Sequence, residues 1–143
     1  MNNQVINATY HTFDDHIIQP SFGQLVLVNF WMSWSKPSIE LGKNLENLQE
    51  NSKESFLVAR VNLGNSPLLA RTCQIQKLPT VIAYSDGCIL DRMVGDEHPY
   101  LLHQFTRKVM IRQRGTGPLR PEQAPEAPQQ TISDWFTQLL SFK

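Results

Sequence analysis

Cysteine is scarce in this chain: across 143 residues the only thiols are Cys73 and Cys88. Two thiols at that spacing match neither a zinc ligand set nor the crosslinked framework of a small secreted domain, so both are expected to be reduced and no metal or other cofactor is expected. An excess of charge of one sign is missing too. Thirteen Lys and Arg balance 13 Asp and Glu, which removes any overall electrostatic ground for a nucleic-acid or anionic-membrane partner. No apolar run approaches the ~20 residues that cross a bilayer, and Met1 to Pro20 lacks the charged start and apolar stretch of a secretory leader, so a cytoplasmic protein is expected. What is present, 41% apolar residues, suffices for one core of domain size.

Residues 5–8 read as a short strand, and Thr12-Phe13-Asp14-Asp15 places a hydroxyl and a carboxylate at capping-box spacing before a helix reaching about Ile18. Residues 25–31 are apolar with little alternation, as in a central strand covered on both faces. From Pro37 a helix follows, with Leu41, Leu45 and Leu48 at helical spacing and a slight interruption at Gly42. Residues 56–61 form a third strand, and Asn65-Ser66-Pro67 supplies cap and first-turn signals for a helix to about Cys73. Strand 80–84, the Ser85-Asp86-Gly87 turn and strand 88–94 make a hairpin, and Pro99 opens a last helix with Leu102, Phe105 and Val109 on one face. The predicted order is β-α-β-α-β-α-β-β-α, with a parallel crossover in its first half.

Composition changes after Arg114. Residues 115–130 hold Pro118, Pro121, Pro125 and Pro128 with almost no large apolar residue, a stiff linker that could reach about 50 Å at ~3.1 Å per residue. Residues 131–143 resume a helical pattern, with Ile132, Trp135, Phe136, Leu139 and Leu140 on one stripe. That stripe could fold back on the domain, cover a neighbouring copy in a homodimer, or enter a groove on another protein. The expected organisation is therefore a domain over 1–114, a linker over 115–130 and an amphipathic helix over 131–143.

The segment Phe30-Trp31-Met32-Ser33-Trp34-Ser35-Lys36-Pro37-Ser38 carries the most information. It resembles the active-site turn of the thioredoxin family with serine in place of both redox cysteines. The resemblance extends over about residues 4–113 through Leu78-Pro79-Thr80, Ser85-Asp86-Gly87 and Val94-Gly95, in that order. It implies the family's α/β fold, a mixed sheet of about five strands flanked by four helices, with Pro79 as a cis proline. It also implies a shallow groove that takes extended peptide, built here from Trp34, Lys36, Pro37, Leu63, Leu78, Pro79, Thr80, Val94 and Gly95.

The departures from the family matter more than the matches. A thiolate does the family's chemistry, and the hydroxyls of Ser35 and Ser38 cannot be ionised by a helix N-terminus alone. A serine nucleophile would need an adjacent base, and His11, His16, His98 and His103 all fall outside the elements that build the turn. Asn29 stands where many members carry a buried aspartate that, by resemblance, relays a proton; an amide keeps the hydrogen bonds and cannot titrate. Lys36 and Lys43 replace a family glycine and a family helix proline.

These residues point to a redox-inactive member that serves as an interaction module, adaptor or chaperone-like factor and binds another protein through the groove or the tail. The alternative is a disulfide oxidoreductase whose two cysteines have been changed to serine. A third reading makes Cys73, near the rim of the old site, a lone-thiol sensor, against the usual role of such a residue as a buried hydrophobe; Cys88 reads as structural.

Overall fold

In the computed structural model, residues 5–53, 55–95 and 98–116 are described, with side chains through residue 113. Five strands, β1 (Val5–Ala8), β2 (Val26–Trp31), β3 (Leu57–Asn62), β4 (Thr80–Ser85) and β5 (Cys88–Val94), form one sheet in the order β1-β3-β2-β4-β5. The first three are mutually parallel and the last two antiparallel, giving the expected mixed sheet. Three α-helices, α1 (Lys36–Asn51), α2 (Pro67–Thr72) and α3 (Pro99–Thr116), complete the order read from the sequence, with a shorter coil over Asp14–Ile18. Among the described residues, no helix is long and apolar enough to cross a membrane.

The unbroken apolar run of β2 is explained by its central place. Val26, Val28 and Phe30 point into one layer with Phe13, Ile17, Ile18, Leu69 and Tyr84, while Leu27 points into the other with Leu41, Leu45, Leu102, Phe105 and Val109. Each such side chain, fully removed from water, contributes about 1.5–3 kcal/mol. α1 and α3 therefore cover one face of the sheet, and α2 and the Asp14–Ile18 coil cover the other. The hairpin joining β4 and β5 turns at Asp86 and Gly87, with φ of 55° and 79°, the paired left-handed conformations of a two-residue turn matched to strand twist. The Asp86 and Gly87 N–H groups donate to the Ser21 carbonyl and hydroxyl at 2.8 and 2.9 Å, tying the turn to the 3-10 turn at Pro20–Phe22.

Two capping expectations are corrected. The Thr12 hydroxyl accepts from the Thr9 N–H at 2.9 Å, so no capping box forms, and Asp14–Ile18 is a wide π-helical coil begun by Phe13 without a side-chain cap. The wide coil lets Phe13, Ile17 and Ile18 all reach the core, where Phe13 meets Tyr84 edge to face at 5.7 Å. Ser66 precedes α2 as read, but its hydroxyl accepts from the Tyr10 N–H at 3.2 Å and leaves the helix entry without a side-chain cap. The last helix continues through Gly115 and Thr116, into the stretch read as linker. The rest of that linker and the stripe Ile132, Trp135, Phe136, Leu139 and Leu140 lie outside the described residues.

Candidate functional site

Three strand ends converge on one edge of the sheet. The rung Phe30↔Thr80 sets the end of β2 beside the start of β4, and the rung Trp31↔Asn62 sets it beside the end of β3. Residues 32–35, 63–66 and 77–79 therefore emerge together. β5 ends there as well: the Gly95 N–H donates to the Pro79 carbonyl at 2.8 Å, and the Leu78–Pro79 bond is cis, as the resemblance implied. On this edge Trp34 is 72% exposed and Val94 48%, with Leu78 half-buried and Lys36, Pro37 and Gly95 exposed. The Lys77 side chain lies along Gly95, its Cε and Nζ 3.6 Å from where a Cβ would stand. The N–H and C=O of Leu78 take no partner among the described residues.

Beneath Trp34 the two serines are wired into the start of α1. Ser35 is the N-cap, its hydroxyl accepting from the Ser38 N–H at 3.4 Å. The Ser38 hydroxyl donates to the Ser35 carbonyl at 2.8 Å and accepts from the Met32 N–H at 3.3 Å. Asn29, fully buried on β2, donates from Nδ2 to the Ser38 carbonyl at 3.2 Å. Its Oδ1 is buried without a hydrogen-bond partner. Among the described residues, no hydrogen bond of either hydroxyl involves a histidine or a carboxylate, so none of them supplies either serine with a base.

Three residues read as groove-lining have other places. Leu63 is only 6% exposed and belongs to the core, because its N–H bond to the Trp31 carbonyl turns the chain inward after β3. Thr80 is buried and its hydroxyl donates to the Lys77 carbonyl at 2.5 Å, bracing the loop from within. Pro79 is likewise buried and shapes the edge from below.

Arg60 was missed. Its guanidinium sits 4.8 Å from the Trp31 ring centroid, and its Nε is buried without a partner. The parallel register puts Arg60 opposite Asn29, on the face that also carries Trp31. The signal was there in the alternation of 58–60 against 27–29, once the two strands are taken as parallel neighbours.

Cys73 closes α2 inside the core. Its Sγ lies 3.8 Å from the Tyr84 hydroxyl, and burial pushes the thiol up to about 12, far from a reactive thiolate. Burial also raises the Tyr84 phenol. The lone-thiol sensor is thus set aside on geometry, since a sensing sulfur must be both accessible and ionisable.

The chain belongs to the thioredoxin family: the family model described as "Thioredoxin" matches residues 4–108. Among relatives, it is 32% identical over 62% of its length to a protein named "Thioredoxin" from Chlorobaculum thiosulfatiphilum, covering 80% of that protein. "Thioredoxin 2" from Chlorobaculum tepidum is 28% identical over 66% of this chain and 85% of its own. "Thioredoxin Y2, chloroplastic" from Arabidopsis thaliana is 34% identical over 61% of this chain and 51% of its own length.

Two measurements check this geometry. A Cβ on Gly42 would stand 2.7 Å from Asn29 Nδ2, which is held by its bond to Ser38. Gly42→Ala, normally a gain in a helix interior, should therefore destabilise by about 1–3 kcal/mol in urea unfolding. The second concerns alkaline stability. With the folded Cys73 thiol at about 12 and the unfolded thiol at its ordinary 9.0, its contribution is fully present below pH 9 and is lost as pH rises toward 12. Stability should fall by about 1.4 kcal/mol per pH unit for each such group, and Cys73→Ala should remove the part that begins near pH 9.

Proposed function

We propose that this chain is a thioredoxin-family domain that holds extended polypeptide at its former active-site edge without exchanging electrons, a cytoplasmic interaction module, adaptor or chaperone-like factor. The observation that carries the reading is the contrast at one turn. Ser35 and Ser38 have both hydroxyls engaged in the first turn of α1, while Trp34 beside them stands 72% exposed. Such an edge can bind and has no group that reacts.

Binding follows from what is left open. Trp34, Val94 and Leu78 offer apolar anchors, and the N–H and C=O of Leu78, which take no partner among the described residues, can take a strand-like hydrogen-bond pair from a guest backbone. Lys36 and Lys77 add positive charge at the rim and favour a guest with acidic residues. Of the residues first assigned to the groove, Trp34, Lys36, Pro37, Leu78, Val94 and Gly95 contact the guest in this reading, with Leu63, Pro79 and Thr80 as supports.

A second reading, an oxidoreductase whose cysteines at 35 and 38 have been changed to serine, is favoured by the thioredoxin names of the relatives. The codons of the organism's own gene separate the two: serine at both positions retains the first reading, cysteine at both replaces it.

Natural protein should give no turnover in insulin-disulfide reduction and should bind carboxymethylated insulin B chain, an extended probe, in fluorescence anisotropy. Trp34→Ala should weaken that binding about 10-fold or more with the melting temperature unchanged, since an exposed anchor supports no core. Thioredoxin-like turnover, or B-chain affinity indifferent to Trp34, would overturn the proposal.

A further inference from the structure

The apolar edge around Trp34, Leu78 and Val94 has no cover from the described residues, and the chain itself carries a segment suited to covering it. We infer that residues 131–142 of the same molecule occupy this edge as an internal guest, which an incoming polypeptide must displace. The inference rests on the proposed reading of the edge as a peptide-binding surface.

Reach is the first argument. α3 begins just after Gly95, at the site end of the molecule, and its 18 residues carry the chain about 27 Å away at ~1.5 Å per residue. From Thr116 to Ile132 the proline-containing stretch spans up to about 50 Å at ~3.1 Å per residue. The return distance is thus well inside the tether. A linker of this length gives the tethered segment an effective concentration on the order of millimolar, which a second copy does not match at ordinary protein concentration.

Chemistry is the second. Ile132, Trp135, Phe136, Leu139 and Leu140 put five large apolar groups at one helical spacing in a segment whose only charged side chain is Asp134. Such a stripe needs apolar surface to cover it. The other exposed apolar residues among those described are scattered: Phe22 lies against the Gly87 turn, Leu68 stands on α2, and on α3, which also carries Leu101, Tyr100 and Ile111 share an outer face with Gln104 and Arg107 between them. The Trp34 edge instead gathers Trp34, Leu78 and Val94 from converging strand ends, and Lys36 and Lys77 at its rim suit Asp134.

The test uses the full chain. Thr137→Cys, which lies off the stripe at helical spacing, is made in a Cys88→Ser background and given a nitroxide label; buried Cys73 stays unlabelled. In two-dimensional NMR the Trp34 indole N–H and the Leu78 and Gly95 amides should broaden selectively, to the same extent on dilution. Broadening that fades on dilution, or that passes to an unlabelled copy in a mixed sample, assigns the edge to a second molecule and overturns the inference. Broadening on the Tyr100 and Ile111 face, or none, overturns it as well. In the unlabelled protein, Trp135→Ser with Phe136→Ser should tighten insulin B-chain binding about 10-fold, because the guest no longer competes with the tail. An unchanged affinity counts against the inference while leaving the edge a peptide site; a chain that binds no B chain with or without the tail residues removes the edge itself.

Discussion

One buried amide holds the site together. Asn29, at the centre of the central strand, donates to the Ser38 carbonyl in the first turn of α1, and that bond sets how β2, the Trp34 turn and α1 meet. The contact is possible because residue 42 is glycine: any side chain there would press on Asn29 Nδ2. With α1 drawn against the sheet, Ser35 falls at the N-cap and Ser38 within reach of Met32, and the turn between them has nowhere to place Trp34 except outward. An aspartate would have accepted hydrogen bonds at this position and carried a charge. Asparagine donates one instead, at no cost in buried charge, which suits a position whose task is to hold rather than to titrate.

The fold was legible in the sequence because its signals agree with one another. The unbroken apolar run of 25–31, the Asp86-Gly87 turn between β-rich runs and the leucine spacing after Pro37 each point to the element that forms. What was not legible is where short polar side chains spend their hydrogen bonds. Thr12 and Ser66 occupy helix-start positions in sequence, but Thr12 closes a turn with Thr9 three residues back, and Ser66 bonds Tyr10 from a distant part of the chain, a partner that local rules do not contain. Leu63 was misplaced for a related reason: one residue past a strand end, the inward or outward sense depends on the bond its N–H makes with the next strand. Arg60 escaped notice because its role arises only from register with Asn29 and proximity to Trp31.

The serines alter energetics as well as chemistry. A helix N-terminus favours negative charge, and a thiolate at the first position of the turn would draw on that field. The neutral Ser35 hydroxyl draws on it only as a cap, worth on the order of 1 kcal/mol to the helix. Serine at this turn therefore comes with a satisfied helix start, and the unsatisfied polar atoms lie one layer down, at Asn29 Oδ1 and Arg60 Nε. Both residues lie on the same face of neighbouring strands.

Without a covalent step, retention of a guest rests on contacts alone. A thiol-exchanging edge can hold a partner through a mixed disulfide however weak its groove; this edge, in the proposed reading, has Trp34, Val94 and Leu78 and a short stretch of free backbone. Such contacts contribute about 1–3 kcal/mol each before the entropic costs of association are subtracted, which corresponds to micromolar or weaker binding. At that strength a tethered competitor at millimolar effective concentration is decisive, since it would fill the edge most of the time unless the guest is better matched. In the proposed reading weak edges and internal guests belong together: an edge shallow enough to tolerate many sequences would be easily occupied, and a tail that left readily would set the threshold a true partner must exceed.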